Sequence, residues 1–196
     1  MIPRPADIFR RFFSSTRGVA AIEFAAVMPV LLLLFLGSFD AGNAITVYMK
    51  VRAATYSLAA ITNQYGTGVA AISTANMTAI TGATSAILAP YPSAPTGVVI
   101  SQIKATSSAA AVVSWSAAGG TGTALTQGAS FTLPSSFAAN TCGGSYPCYM
   151  IYAQVTYAFS PTFGAFLTGP IDLADNLFTT PRISPCIQYN GVPSSC

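Results

Sequence analysis

An apolar run near the N-terminus limits the possible folds of this chain more than any other feature. Residues 19–39 read VAAIEFAAVMPVLLLLFLGSF, and Glu23 is their single ionisable side chain. A helix of this length spans about 31 Å, which matches the roughly 30 Å hydrocarbon core of a bilayer. A carboxylate within hydrocarbon is costly and normally has a partner or a role. The run therefore predicts a membrane-spanning helix in which Glu23 has a function.

The excess of basic residues lies on the N-terminal side of this run. Before Gly18, a single acid, Asp7, opposes four arginines: Arg4, Arg10, Arg11 and Arg17. After Gly18, four basic residues balance four acidic ones. The positive-inside rule then predicts that residues 1–18 are a basic cytoplasmic leader and that the C-terminal body is exported. Because this body is neutral, it offers no basic patch, and we expect no nucleic acid partner.

All four cysteines fall in the exported part, where disulfides can persist: Cys142, Cys148, Cys186 and Cys196. We favour the local pairs Cys142–Cys148 and Cys186–Cys196, but four cysteines allow three connectivities and the sequence does not choose among them. A zinc site is the competing interpretation. The chain has no histidine and no CxxC pair, so we predict neither a metal nor a cofactor.

Hydrophobic periodicity predicts the remaining elements. One helix is expected from about residue 20 to about residue 65, with its first half in lipid and its second half on a domain. Residues that recur at steps of three and four, most of them apolar or aromatic, indicate this second half: Ile45, Tyr48, Met49, Arg52, Tyr56, Ala59 and Ala60. A second helix is expected within residues 68–90, strands within 98–105, 110–117 and 149–159, and an edge strand leading to Arg182.

These elements give an α+β protein, in which a long helix, transmembrane and then amphipathic, packs on a small antiparallel β-sheet. The chain divides into the leader (1–18), the N-terminal helix (19–66) and an exported α+β domain (67–196). The strand at 149–159 has the clearest alternation, with Ile151, Ala153 and Val155 on one face. Asp40 is interpreted as marking the end of the membrane span.

The sequence offers no catalytic constellation, and we predict that the protein is not an enzyme. Asp172 and Asp175 stand three residues apart, which could place both carboxylates on one face of a helical turn. A solvated turn or a helix N-cap explains this pair at less cost than an acid/base role.

A basic leader, Gly18, four small or apolar residues, Glu23, Phe24 and an apolar run together resemble a type IV prepilin processing site. More closely, RGVAAIEFAAVMPVLLLLFLGSFDAGNAI is similar to the opening of the TadE-like pilus-assembly family, the minor pilins or pseudopilins of the tight-adherence (Tad/Flp) pilus. The later VTYAFSPTF…PR segment is also similar to those proteins. The resemblance implies a pilin-like fold.

The resemblance also implies a function. A membrane-embedded prepilin peptidase would cut between Gly18 and Val19, and Glu23 in the first helical turn would pair with the free N-terminus of an incoming subunit. Major Flp pilins usually carry tyrosine where this chain has Phe24, and they are very short, so the long exported body implies a minor component. The implied partners are the lipid bilayer, other pilin or pseudopilin subunits, the Tad machinery and the peptidase.

The implied location is the inner membrane, with a cytoplasmic N-terminus and a periplasmic or extracellular domain that can join the pilus. Three other interpretations stay open. The helix could be an uncleaved anchor with an incidental Glu23, or part of a signal peptide cut before Ile45. From a different class, the chain could be a membrane-anchored binding or scaffold module that never joins a filament. Small-xxx-small pairs at Gly37/Ala41 and Ser38/Gly42 would suit helix packing.

Overall fold

The structure is a computed structural model that describes residues 18–108, 110–134, 142, 145–164, 169–190, 192 and 196. Apart from Gly18, the predicted leader lies outside the described residues. The helices are α1 (Val19–Thr62), a short 3₁₀ helix (Gly68–Ala70) and α2 (Thr74–Leu88). The strands are β1 (Thr96–Ala105), β2 (Ala111–Gly120), β3 (Ser130–Phe131), β4 (Cys148–Phe159) and β5 (Ile171–Thr179). The predicted α+β class is confirmed.

Helix α1 is continuous over 44 residues and includes Pro29. It begins and ends close to the predicted limits of 20 and 65. Its C-terminal end is closed by the Asn63 N–H, which donates to the carbonyl of Ala59 at 3.0 Å. The single helix therefore links the apolar run directly to the domain.

The sheet is antiparallel and curled, with strand order β3-β2-β1-β4-β5. β1 and β2 form the predicted hairpin, in which Ser101 lies opposite Ser116. β1 also pairs with β4, with Ile100 opposite Ala153, and β5 follows at the edge. The alternation predicted for β4 is confirmed, because Ile151, Ala153 and Val155 are all fully buried. The short strand β3 lies outside every predicted strand.

The core lies between the second half of α1 and one face of the curled sheet. Helix α1 contributes Val47, Val51, Ala54 and Leu58, each fully buried, at steps of four, three and four residues. They join a cluster of sheet residues that includes Ile100, Trp115, Ile151 and Val155. Small and β-branched side chains on this helix face allow the curled sheet to approach closely.

The stripe of larger residues that indicated the second half of α1 faces away from this core. We call it the outer stripe: Ile45, Tyr48, Met49, Arg52 and Tyr56. Ile45 and Met49 are 56% and 65% exposed, respectively. The predicted packing of the second half of α1 on the domain is confirmed, but it uses other residues: of the predicted set, Ala59 is buried and the outer stripe is exposed. Both faces of α1 carry apolar residues, so periodicity identified the helix without identifying its buried side.

The C-terminal segment closes the core on its far side. The indole Nε1 of Trp115 donates to the carbonyl of Ile187 at 2.8 Å. The Ile187 N–H in turn donates to the side-chain oxygen of Gln102 at 2.7 Å. Tyr189 forms a parallel bridge with Ile72, just before α2. A buried glutamine and a buried indole are thereby satisfied by the same short stretch of backbone.

Helix α2 is held by both of its ends. The Ser73 hydroxyl accepts the Asn76 N–H at 3.1 Å, an N-cap of ordinary type. Beyond the other end, the Lys50 ammonium donates to the carbonyl of Ala89 at 2.6 Å and to that of Ile87 at 3.3 Å. A cation at a helix C-terminus satisfies orphan carbonyls and complements the helix dipole. Lys50 therefore fixes α2 against α1.

A second polar tie lies where the apolar run meets the domain. The Asp40 carboxylate accepts three backbone N–H groups of the loop after β4: Thr162 at 2.9 Å, Phe163 at 2.9 Å and Gly164 at 2.7 Å. We call this arrangement the Asp40 clasp. Asp40 is 8% exposed. The clasp joins the helix to a loop more than 120 residues away in sequence.

The clasp also sets the protonation of Asp40. Burial alone would raise the pKa of this carboxyl, but the N–H donors of Gly164, Phe163 and Thr162 together hold the pKa below its ordinary value of 3.8. A lowered pKa means that the folded state favours the charged carboxylate. The stabilisation from the clasp is therefore fully present above the ordinary carboxyl pKa and is lost as the pH falls through the lowered value.

Truncation of Leu58 tests the core. Leu58→Ala removes a fully buried side chain, and we expect the free energy of unfolding to fall by about 2–5 kcal/mol. Urea unfolding of the full chain in detergent micelles, followed by the emission of its single tryptophan, measures this change. Met49→Ala is the matched control on the exposed face and should stay within about 0.5 kcal/mol of the parent. Equal losses in the two variants would contradict this placement of the core.

Removal of the carboxylate tests the clasp. We expect Asp40→Ala to accelerate hydrogen exchange at the amides of Thr162, Phe163 and Gly164, because their acceptor is lost. In the parent chain, the Gly164 amide proton shift should titrate with a midpoint below 3.8. Asp172→Asn, which removes an exposed carboxylate on β5, is the control and should leave the midpoint unchanged. A midpoint at or above the ordinary aspartate value would contradict the clasp.

Candidate functional site

The residues predicted to direct processing and assembly lie at the start of α1. The helix begins at Val19, with Gly18 at its N-cap. Glu23 is therefore the fifth residue, and the first turn contains no acidic side chain. The expectation that Glu23 sits in the first turn was wrong by one position. Because residues four apart share a helix face, Glu23 lies on the same side of α1 as Val19, about 6 Å along the axis.

This position changes the expected interaction of Glu23. The field of a helix dipole falls off within the first turn, so the dipole gives a carboxylate in the second turn less support. A positive charge at Val19, such as a free amine, would instead lie within reach of a side chain at i+4. Glu23 is exposed, and so are its neighbours Ile22 and Phe24, at 73% and 63%. The carboxylate and the Phe24 ring are both accessible to a second molecule.

Gly18 has no structural requirement for glycine within the described residues. Its backbone is right-handed helical (φ −90°, ψ −12°), which any residue adopts. A Cβ added at Gly18 would meet nothing within 4 Å. Neither packing nor backbone strain among the described residues explains why this position is glycine. Recognition of Gly18 by another molecule is compatible with this geometry.

No residue of α1 before Asp40 is buried against the described part of the domain. Its apolar side chains are about half exposed or more, including Val30, Leu31, Leu33, Leu34, Phe35 and Phe39. The most apolar 18-residue window has a mean hydropathy of 2.5. Length and composition make α1 a helix able to cross a membrane, and such a helix near the N-terminus indicates a single-pass anchor. The bilayer is the corresponding partner.

Two further features of α1 are exposed beyond the centre of the apolar run. The small residues Gly37, Ser38, Ala41 and Gly42 lie on the surface, and added Cβ atoms at Gly37 and Gly42 would meet nothing within 4 Å. The outer stripe continues along the domain, where the Arg52 guanidinium lies 5.7 Å from the centroid of the Tyr56 ring. The side chain of Tyr56 raises the pKa of Arg52 further through a hydrogen bond and its partial charge.

The carboxylates proposed to share a helical turn do not do so. Asp172 and Asp175 both lie on β5, opposite Ala158 and Val155 respectively. Because alternate residues of a strand point to opposite faces, residues three apart lie on opposite sides of the sheet. The interpretation of this segment as a helical turn was wrong, and the two carboxylates form no pair.

The four cysteines form two disulfides with the local connectivity that the sequence analysis favours. Cys142 is bonded to Cys148 and Cys186 to Cys196, with Cα–Cα distances of 5.8 and 6.0 Å. Bonded sulfurs offer no thiolates, so they do not form the alternative zinc site. The second bond ties the C-terminal residue to the segment that covers Trp115 and Gln102.

The sequence missed three polar residues that hold distant segments of the chain together: Asp40 and Lys50 on α1, and Gln102 on β1. Asp40 was interpreted as an end-marker, and Lys50 and Gln102 were given no role. Their partners are backbone groups of distant segments, and neither residue type nor spacing reveals such groups. A weak signal existed for Asp40, since an acid directly after an apolar run needs either water or donors.

The comparisons with known proteins concern the same helix. The family model described as TadE-like protein matches residues 18–59, about a fifth of the chain. No curated protein and no solved structure matches the chain. The matched segment starts at Gly18, contains Glu23 and the whole apolar run, and extends to the core residues Leu58 and Ala59. A TadE-like match suggests involvement in Tad pilus assembly. For residues 18–59, the predicted resemblance to the TadE-like family is therefore confirmed.

Proposed function

We propose that the protein is a minor pilin or pseudopilin of a Tad/Flp-type pilus, processed by a prepilin peptidase between Gly18 and Val19. One observation carries the proposal. Glu23 is the single charged residue of the apolar run, and it lies exposed, one turn from Val19 and on the same helix face. Removal of the leader would create an amine at Val19 of each subunit, on the helix face that presents Glu23 to a neighbouring subunit.

The proposed mechanism is electrostatic. A carboxylate within hydrocarbon costs about 2.5–3.5 kcal/mol on insertion scales. An ammonium group from the cut end of a neighbouring subunit would offset this cost, because opposite charges attract more strongly where water is excluded. The charges meet in one relative position of the two helices. Glu23 would therefore set the axial register of each added subunit, and Phe24 would fill space beside it.

The rest of the helix surface supports assembly. The exposed small residues at Gly37, Ser38, Ala41 and Gly42 allow close approach of a second helix. The outer stripe extends an exposed apolar face into the exported part of α1. In this proposal the N-terminus is cytoplasmic, the domain is periplasmic or extracellular, and the neighbours are other pilin subunits and the Tad machinery. The role is structural and not catalytic.

The second candidate is a membrane-anchored module that binds a ligand and never joins a filament. An open groove of about 510 Å³ favours it, lined by aromatic and proline side chains that include Tyr91, Pro92, Pro95 and Phe159. Such a module needs neither a cleaved leader nor an exposed Glu23. Processing and the behaviour of Glu23 variants therefore distinguish the two candidates.

Processing is tested first by the mass of the protein extracted from membranes. We expect a mature N-terminus at Val19, and we expect Gly18→Leu to retain the leader because a bulky residue at the cut site blocks the peptidase. Gly37→Leu is the matched control, a second helix glycine where an added Cβ meets nothing, and it should be processed normally. A parent N-terminus at Met1 would refute cleavage, and one at Ile45 would indicate a secreted protein.

Assembly is tested at Glu23. We expect Glu23→Ala to leave processing largely intact and to abolish or strongly reduce piliation, counted by electron microscopy of cells. Glu23→Gln keeps the size of the side chain and removes its charge, so it should behave like Glu23→Ala. Asp172→Asn removes an acid from the domain and should leave piliation unchanged. Normal piliation in both Glu23 variants would refute the role of the charge.

A further inference from the structure

We propose that the loop held by the Asp40 clasp touches the outer surface of the bilayer, with the Phe163 ring inserted among the lipid headgroups and upper acyl chains. The exported domain would then have a second point of membrane contact, separate from the spanning part of α1. The inference rests on the insertion of α1 into a membrane. It does not depend on cleavage of the leader or on pilus assembly.

The level of the loop follows from its contact with the helix. Phe39 is the last residue of the apolar run, so its ring lies where the hydrocarbon core ends. The ring centroid of Phe163 lies 5.8 Å from that of Phe39, in an edge-to-face arrangement. Both rings remain about half exposed, at 52% for Phe39 and 48% for Phe163. A bilayer that surrounds Phe39 would therefore also reach Phe163.

The clasp keeps the loop at this level. The amides of Thr162, Phe163 and Gly164 all donate to the Asp40 carboxylate, which is the next residue after Phe39. These bonds satisfy the backbone donors that would otherwise need water near the membrane surface. They also satisfy the Asp40 carboxylate, which is the charged group at this end of the apolar run. Among the described residues of the loop, the Phe163 ring is an exposed apolar group.

The neighbouring surface has the composition of a membrane-facing end. Asn43, almost one turn beyond Asp40, lines a groove with residues of the α2–β1 connection, the end of β4 and the loop after it, and with Pro170, which precedes β5. The described residues of this groove are uncharged, and most are proline or aromatic: Tyr91, Pro92, Pro95, Tyr157, Phe159 and Pro170. Charged side chains are costly next to hydrocarbon, whereas aromatic rings concentrate at the headgroup level.

Lipid fits this surface better than a second subunit does. Phe163 is continuous with Phe39 and with the apolar run whose solvent is the bilayer. Transfer of a half-exposed phenylalanine from water to the acyl boundary is favourable in proportion to the area buried. The outer stripe, by contrast, lies further along α1 and beyond this level, where a neighbouring subunit can reach it.

The experiment introduces a tryptophan as a probe into the loop of the full chain. The Phe163→Trp variant is reconstituted into phosphatidylcholine liposomes with and without bromine on the acyl chains, since bromine quenches tryptophan on contact. The native tryptophan, Trp115, is fully buried in the core and gives a constant background. We expect the emission of the introduced tryptophan to fall in brominated liposomes and to be quenched only weakly by iodide in the buffer.

Two matched variants calibrate this result. Leu33→Trp, in the middle of the apolar run, should be quenched strongly by brominated lipid if α1 is inserted. Ile183→Trp, at a 64% exposed site beside the far end of α1, should be quenched by iodide and not by bromine. In the Phe163→Trp background, Asp40→Ala should reduce quenching by brominated lipid, because the loop is released.

The outcomes separate the inference from its premise. Quenching at Leu33→Trp without quenching at Phe163→Trp would overturn the inference and leave the anchor intact. Protection of the Phe163→Trp probe from both bromine and iodide would also overturn it and would indicate a protein contact. Absence of quenching at Leu33→Trp would overturn the inserted helix and the inference with it. Unchanged bromine quenching in the Asp40→Ala background would refute the positioning role of the clasp.

Discussion

The burial of one face of α1 in the curled sheet is the interaction on which the rest of the structure depends. Val47, Val51, Ala54 and Leu58 are fully buried there, and each of the valine and leucine side chains contributes about 1.5–3 kcal/mol. Because α1 is one hydrogen-bonded rod, fixing its second half also fixes the direction of its first half. The position of Glu23 relative to the domain is thus decided by contacts more than 20 residues away.

Polar ties then restrict how the domain sits on this rod. Lys50 binds the carbonyls at the end of α2, and Asp40 binds the amides after β4. They lie about three turns apart on the same helix and hold two different segments of the domain. A change of register or of rotation about α1 would break both sets of bonds and leave the buried Asp40 carboxylate without its donors. The domain therefore has one orientation along the helix.

The sequence predicted the elements that have a regular hydrophobic period, and it missed the contacts between residues that lie far apart in the chain. The 44-residue α1 and the alternation of β4 follow from periodicity, and both were confirmed. The sequence did not identify the buried face of α1, because apolar residues on two faces of a helix give the same period. Asp172 and Asp175 were misplaced because the spacing of two residues cannot distinguish a strand from a turn. The Asp40 clasp could not be predicted from the sequence, because its donors are backbone amides, which every residue except proline carries.

The apolar run shows why specificity has to come from few residues. Lipid chains are as apolar as leucine, so exchanging lipid for neighbouring helices gains little hydrophobic free energy. Leu31, Leu33 and Phe35 can therefore hold α1 in a bilayer or in a bundle with little preference between the two. Only groups that differ from lipid can select a partner and a register. Along residues 19–42, those groups are Glu23, the small residues near Gly37 and Gly42, and the clasped Asp40, which is already satisfied within its own chain.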